Sequence, residues 1–225
     1  MNAAALLHLL QLASPSLPVG AYSYSQGLET AIERGDVTDP DSARHYLVQQ
    51  LEEVQANWDG AVFWRLAGAC RDHDHAAFKQ WNARYLASRE SAELRAETVQ
   101  MGYSLGRLLV ELALIDPEHN PAAPALDTCL PAALAQAVHA LEVPHEEALL
   151  AMLFSWAENQ VLVCVKSIPL GQVAGQRLLL SLRPAIESAA LRARSIGDED
   201  VSSWSPGLAL LSMQHEVQHG RLYRS

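Results

Sequence analysis

The residues with the clearest chemical potential lie near the end of the sequence, where His215, Glu216 and His219 form the motif HEVQH. On a helix, this spacing places two imidazoles on one face to bind zinc and supplies a glutamate as general base. A hydrolytic zinc ion also needs a third protein ligand. The residues that follow, GRLYRS, include no His, Asp, Glu or Cys, and Gly220 would end the helix at once. A zinc-dependent all-α hydrolase using residues 215–219 is therefore an alternative hypothesis, and we assign no metal ligand.

A second group of potential metal ligands comprises Cys70, Asp72, His73, Asp74 and His75. Thiol, imidazole and carboxylate groups at this spacing could bind zinc or nickel. The same residues are also typical of a solvated turn between two helices, with an aspartate capping the second helix. The sequence favours the turn.

Motifs for other catalytic chemistry are not found in the sequence. It contains no GxxxxGK[ST] to bind nucleotide phosphates, no GxGxxG after a strand and no GxSxG. Ser23 is more readily explained as a helix cap than as a nucleophile. We therefore assign no catalytic residue from these motifs.

Lysine is rare in this chain, which has only Lys79 and Lys166 among its 16 basic residues. Lys166 follows the apolar run VLVCV near the end of a predicted helix. There it could complement the helix dipole while its stem covers apolar surface. It could equally present a lone positive charge to a partner, and the sequence leaves both interpretations open.

The composition indicates an all-α protein. Alanine and leucine number 35 each, whereas valine and isoleucine together number 20, and the first pair favours helices. The net charge of −10 argues against non-specific binding to nucleic acid. The longest apolar stretch, 149–165, is interrupted by Glu158, Asn159 and Gln160, so we expect a buried helix rather than a membrane span. Three widely spaced cysteines fit a reducing cytoplasm.

Helical periodicity and the positions of proline and glycine predict a single-domain bundle of roughly ten helices over residues 1–225. The clearest boundaries are Asp39-Pro40, an N-cap followed by proline at the first helical position, and Pro184, which must kink or break its helix. Ser23 and Gln26 have the spacing of a capping box. The predicted helices cover about 3–13, 23–35, 40–57, 59–70, 75–87, 94–112, 131–142, 144–168, 172–195 and 208–217, with a loop at 116–129.

The sixth predicted helix carries a single apolar stripe facing a core, formed by residues that alternate in spacing between four and three: Leu94, Thr98, Met101, Leu105, Leu108 and Leu112. Gly102 and Gly106 lie beside this stripe, where each costs about 1 kcal/mol of helix stability. Close approach of another backbone would offset that cost. If two copies of the chain form a contact, we therefore expect it first at this helix.

The stretch SPSLPVGAYSYSQGLE, from Ser14 to Glu29, resembles the N-terminal signature of the UreF family of urease accessory proteins. Three further blocks agree with that family in the same order, namely the helix region 89–107, VKSIPLGQ at 165–172, and the segment 213–225. The resemblance covers essentially the whole chain, and 116–129 is its divergent part.

The resemblance implies an all-helical, cytoplasmic homodimer that is not an enzyme and has no tightly bound cofactor. Proteins of this family join the accessory protein UreD, called UreH in some species, and the GTPase UreG on apo-urease. The resulting assembly inserts nickel in a GTP-dependent manner, so the implied role is that of a chaperone in nickel insertion, with nickel cation binding as an associated property. No nucleic-acid partner and no membrane partner is implied.

The resemblance also assigns residues that bind partners. Glu29 and Lys166 match the GTPase-facing surface of the family, and Gln26 and Gly27 lie in the same signature. The tail that docks on UreD is matched by Arg221, Leu222, Tyr223, Arg224 and Ser225.

We expect residues 196–225 to be a partner-docking segment whose tail is unordered alone and folds on binding. Leu222 and Tyr223 would be its apolar anchors, and Arg221 and Arg224 its charged donors. Whether a histidine of the HEVQH motif contacts nickel transiently stays open at this point.

Overall fold

The computed structural model describes residues 1–116 and 127–225. These residues form eleven α-helices, one 3₁₀ turn (Ala21–Ser23) and one π-helical stretch (Leu51–Asp59), and they contain no β-strand. The helices are α1 (Ala3–Leu12), α2 (Leu28–Glu33), α3 (Pro40–Gln50), α4 (Gly60–Arg71), α5 (His75–Ala87), α6 (Ala92–Glu111), α7 (Leu130–Ala140), α8 (His145–Ser167), α9 (Gln172–Ser181), α10 (Arg183–Ser195) and α11 (Pro206–His215). The prediction of a single all-α domain is thereby confirmed.

Local sequence explains several helix ends. Asp39 accepts hydrogen bonds from the backbone N–H groups of Asp41 (3.0 Å) and Ser42 (2.8 Å) and so caps α3 as predicted. Pro184 lies in the first turn of α10, where its missing N–H leaves no helical hydrogen bond unmade. The chain therefore breaks between Ser181 and Arg183, which confirms the predicted effect of this proline.

Residues 51–59 differ from the prediction of two separate α-helices. The chain instead continues from α3 through the π-helical stretch into α4. Trp58 and Asp59 are buried at the end of this stretch. A π-helical turn has no strong local signature, and the packing of its buried residues decides it.

The central helix of the main core is α8. Its residues Leu149, Leu153 and Ala157 are buried, and the helix packs against α1, α2, α3, α4, α9 and α10. By length and composition α8 is the one helix among the described residues that could cross a membrane, with a mean hydropathy of 1.6. Its buried contacts are those of a core helix, as predicted for the apolar stretch at 149–165.

The packing of α6 on α7 depends on Gly102. A Cβ atom at this position would lie 2.1 Å from the carbonyl oxygen of Thr128 and 2.7 Å from the carbonyl carbon of Cys129. The predicted close approach of a second backbone is therefore confirmed. That backbone belongs to the same chain, and a contact between two copies of the chain at this helix stays a prediction.

The apolar stripe of α6 changes position along the helix. Leu94, Met101 and Leu105 are buried as predicted, whereas Leu112 is 49% exposed and Leu109 is buried in its place. A helix with 3.6 residues per turn drifts relative to a strict seven-residue repeat. At the C-terminal end of the helix, the buried face consequently no longer coincides with the predicted stripe.

The beginning of α2 lies five residues later than predicted. Gln26 and Gly27 have φ values of 53° and 81°, in the left-handed region, so no right-handed helix passes through them. The predicted capping box of Ser23 and Gln26 is not formed, and Oγ of Ser25 accepts the Glu29 N–H at 3.3 Å instead. The last helix, α11, begins and ends two residues earlier than predicted. Most of the predicted loop 116–129 lies outside the described residues.

Candidate functional site

The segment after α11 folds back onto the turn that precedes α2. The carbonyl oxygen of Ser225 accepts hydrogen bonds from the backbone N–H groups of Ser25 (2.8 Å) and Gln26 (3.1 Å). The N–H of Arg224 in turn donates to the carbonyl of Ser23 at 2.8 Å. Residues 23–26 therefore hold the segment by backbone hydrogen bonds, which do not depend on the side chains of the segment.

Glu29, in the first turn of α2, holds the same segment with its side chain. Its Oε1 accepts the Leu222 N–H at 2.6 Å, and its Oε2 accepts the Tyr223 N–H at 3.1 Å. The Glu29 carboxylate is buried, so these bonds replace the ones that water would otherwise make. The positive end of the α2 dipole stabilises the negative charge at this position.

His215, the last residue of α11, is fully buried between two carboxylates. Its Nδ1 lies 2.6 Å from Oε2 of Glu93, and its Nε2 lies 3.0 Å from Oε2 of Glu29. Each ring nitrogen of this buried imidazole therefore faces a carboxylate oxygen within hydrogen-bonding distance. Arg221 also pairs with Glu93.

These contacts are incompatible with the geometry that a zinc hydrolase would need at the HEVQH motif. The helix ends at His215, so His219 lies outside it and the two imidazoles share no helical face. In this conformation both nitrogens of His215 are occupied by carboxylate oxygens of Glu93 and Glu29, so neither is directed toward an open coordination site. Glu216 accepts the Ala92 N–H at 2.7 Å at the beginning of α6 and so caps a helix instead of facing a metal-bound water.

Glu97 of α6 is buried at the base of the site, and no sequence motif includes it. Its Oε1 accepts a hydrogen bond from Nε2 of Gln26 and its Oε2 accepts one from Oγ of Ser225, both at 2.6 Å. Burial raises the pKa of this carboxyl to about 7, although the two hydrogen bonds oppose the rise. Gln26 also accepts a hydrogen bond from Nε1 of Trp156 at 2.7 Å, so it links α6 to α8. Nothing in the local sequence distinguishes Glu97 from Glu111, the exposed glutamate of the same helix.

Lys166 lies beside the same segment. Its Nζ is 5.8 Å from the centre of the Tyr223 ring, which is a cation–π distance. The residues assigned to two different partners therefore form one contiguous group, which we call the tail cluster: Gln26, Gly27, Glu29, Lys166, Arg221, Leu222, Tyr223, Arg224 and Ser225. Within it, Lys166, Arg221, Leu222 and Arg224 are exposed. Gly27, Glu29, Tyr223 and Ser225 are buried, and Gln26 is half-buried.

The structure orders residues 221–225 on their own chain, which contradicts the expectation that the tail is unordered alone. The reason lies in the buried carboxyl groups of Glu29 and Glu97, which need hydrogen-bond donors that the tail supplies. Tyr223 is only 7% exposed, whereas Leu222 is 71% exposed. In this conformation Leu222 can contact a partner and Tyr223 packs inside the chain.

Within residues 1–116 and 127–225, no three or more His, Cys, Asp or Glu side chains are placed to hold a metal ion. Burial raises the pKa of the Cys70 thiol to about 12, so this group stays protonated at neutral pH in this structure. Asp74 accepts the N–H groups of Ala76 and Ala77 and caps α5. The preferred interpretation of residues 70–75 as a turn between helices is confirmed.

Comparison with known proteins gives consistent matches. The family model described as UreF matches residues 37–183, well over half of the chain. A urease accessory protein UreF from Janthinobacterium sp. (strain Marseille) is 61% identical over 226 residues, covering 100% of both chains. The protein of the same name from Nitrosospira multiformis is 56% identical over 227 residues, covering 98% of each chain. The chain belongs to the UreF family.

In this UreF-family chain the tail cluster lies partly outside the region that the family model matches. The signature 14–29 precedes that region, and the segment 213–225 follows it. The relatives that are 61% and 56% identical nevertheless match over essentially their full length. Membership in the family of urease accessory proteins therefore extends to the segments that build the tail cluster.

Proposed function

We propose that this chain is a non-catalytic accessory factor that bridges UreD (UreH) and the GTPase UreG on apo-urease for GTP-dependent nickel insertion. In this proposal it works in the cytoplasm as a homodimer and as a chaperone, and nickel is its cargo. The observation that carries the proposal is the tail cluster, because residues assigned to the UreG-facing surface and to the UreD-docking tail are in direct contact there.

The exposed side chains of the tail cluster would make the partner contacts. Lys166 would present its positive charge to UreG, and Leu222 with Arg224 would face UreD. Next to them, Leu210 and Met213 of α11 are exposed at a spacing of three residues, which places them on one helix face. Neighbouring exposed apolar side chains are typical of protein–protein contacts, and this supports a docking role for residues 196–225.

The buried part of the tail cluster offers a physical connection between the two partner surfaces. Ser225 and Gln26 donate to the same carboxyl group of Glu97, and Lys166 lies over the ring of Tyr223. A small shift of Tyr223 or Ser225 on partner binding would therefore change the surroundings of Lys166 and of the signature turn. We propose that binding of UreD and binding of UreG are coupled through these contacts.

The proposal is tested by urease activation in a cell that carries the urease operon but lacks this gene. We expect the full chain to restore urease activity. Lys166→Ala should reduce activation and co-purification of UreG, while Lys79→Ala, at the other exposed lysine of the chain, should leave both unchanged. Leu222→Glu should reduce co-purification of UreD and leave the fold intact, because this side chain is exposed.

A chain that ends at Gly220 removes the whole tail, and we expect it to activate no urease. If Lys166→Ala and Leu222→Glu both activate urease as well as the full chain does, the partner assignments within the tail cluster are wrong. If the full chain is soluble and does not restore activity with its own urease partners, the proposed role itself is wrong.

A further inference from the structure

Two exposed histidines far from the tail cluster meet at the surface. His73 follows the end of α4, and His139 lies in the last turn of α7. Their ring centres are 5.6 Å apart, and the ring planes are inclined at 85°. The packing of α4 against α7 brings the two rings together from positions 66 residues apart in sequence.

This separation suits two imidazoles that share one metal ion. With metal–nitrogen bonds of about 2.0–2.1 Å, two imidazole rings on one ion have their centres about 4.5–6.4 Å apart, depending on the angle at the ion. The distance between His73 and His139 falls inside that range. Because both side chains are exposed, rotation of the rings can direct a nitrogen of each toward a common point, with water as the other ligands.

The neighbouring side chains add further polar groups at this point. Asp72, next to His73, contributes a carboxylate, and Nε of Arg71 lies 2.8 Å from its Oδ1, so the two opposite charges offset each other. A third imidazole, that of His145, lies close enough to His139 to interact with it.

The turn at His73 does not itself require histidine. His73 has a φ of 54°, the left-handed conformation that usually selects glycine directly after a helix, although histidine adopts it more often than most residues do. Asp74 donates its N–H to the carbonyl of Ala69 at 2.9 Å, so the turn itself would form equally well around glycine. Glycine at this position therefore removes the imidazole and keeps the turn.

We propose that His73 and His139 bind one divalent transition-metal ion of the Zn²⁺ and Ni²⁺ class, with water completing its coordination. This site is separate from the HEVQH motif and from the tail cluster, and it does not rest on the proposed function. The sequence cluster at 70–75 supplies only one of the two proposed ligands, His73, because the second imidazole, that of His139, comes from α7.

The experiment is isothermal titration of Zn²⁺, and separately Ni²⁺, into the full chain without an affinity tag at pH 7.5. We expect saturable binding of one ion per chain, weaker at pH 5.5 because imidazoles must be deprotonated to bind. The variant His73→Gly/His139→Ala should bind at least about tenfold more weakly. His73→Gly removes the imidazole while relieving the left-handed backbone, so this change does not threaten the fold.

The matched control is His75→Ala/His219→Ala, which removes two other exposed histidines and should bind the metal as the unmodified chain does. The proposal is overturned if the unmodified chain shows no saturable binding of either ion. It is also overturned if His73→Gly/His139→Ala retains the original affinity, or if only the control variant loses it.

Discussion

Replacing Glu97 by glutamine should remove a large part of the pH dependence of stability. Glu97 is buried in the tail cluster, and burial raises its pKa from an ordinary value of 4.5 to about 7. The folded chain therefore holds this proton more tightly than the unfolded chain does. The stabilisation is fully present below pH 4.5 and is lost as the pH rises through about 7. The rise in pKa corresponds to about 3 kcal/mol, because one pKa unit is about 1.4 kcal/mol.

Glutamine at position 97 keeps the shape of a protonated glutamic acid and does not titrate. Its carbonyl oxygen can accept from Gln26, and its amide can donate to Oγ of Ser225. We expect the free energy of unfolding of Glu97→Gln, relative to the unmodified chain, to increase by about 3 kcal/mol between pH 4.5 and pH 8. The absolute difference at any single pH also contains the rearranged hydrogen bonds, so the change with pH is the quantity to compare.

The assay is urea unfolding followed by tryptophan fluorescence at pH 4.5, 5.5, 6.5, 7.5 and 8, at one fixed protein concentration. Glu187→Gln makes the same chemical change at an exposed position of α10 and serves as the control. A stability difference for Glu97→Gln that stays constant across this range, like that of the control, would show that Glu97 is ionised in the folded chain and that its pKa is not raised.

Two further predictions concern the core. Gly102→Ala should destabilise the chain by about 3 kcal/mol or more, because the new Cβ would overlap backbone atoms that cannot move aside, as measured by urea unfolding. Gly68→Ala in α4, where the nearest atom to a Cβ is a side-chain nitrogen 4.0 Å away, should instead add up to about 1 kcal/mol, and equal effects of the two changes would contradict the packing argument. Burial raises the thiol pKa of Cys70, Cys129 and Cys164 to about 12, so the native chain at pH 8 should react with a disulfide reagent far more slowly than the chain in urea. Equal rates in the two states, followed by absorbance of the released thiolate, would show that the thiols are accessible.

The helix ends that the sequence predicts correctly are those with a strong local cause. Asp39-Pro40 and Pro184 act through a side-chain cap and a missing N–H, which need no tertiary contact. The turn at Gln26 and the π-helical stretch at 51–59 were not predictable in this way. Gln26 adopts its left-handed backbone where its side chain binds Glu97 and Trp156, and both partners come from distant helices.

The tail cluster was predictable only in part for the same reason. The family resemblance identifies all nine residues of the cluster, but it does not indicate that they touch one another or which side chains surround them. Glu97, Glu93 and Trp156 carry no sequence signal, because their importance comes from where α6 and α8 place them. His73 is a similar case, since the sequence groups it with Cys70 whereas the fold pairs it with His139.

The buried charges of the tail cluster bear on how a partner could use the tail. Glu29 receives three hydrogen bonds, from Leu222, Tyr223 and His215, and Glu97 receives one from Ser225. Each buried acceptor left without a donor costs about 1–3 kcal/mol, so detaching residues 221–225 would cost several kcal/mol unless water or the partner replaced those donors. A partner that binds the exposed Leu222 avoids that cost, because it leaves the buried contacts in place. We therefore expect the tail to stay folded on its own chain while it docks. Leu222→Ala should weaken partner binding without changing the free energy of unfolding. Tyr223→Ala should lower the free energy of unfolding of the chain itself.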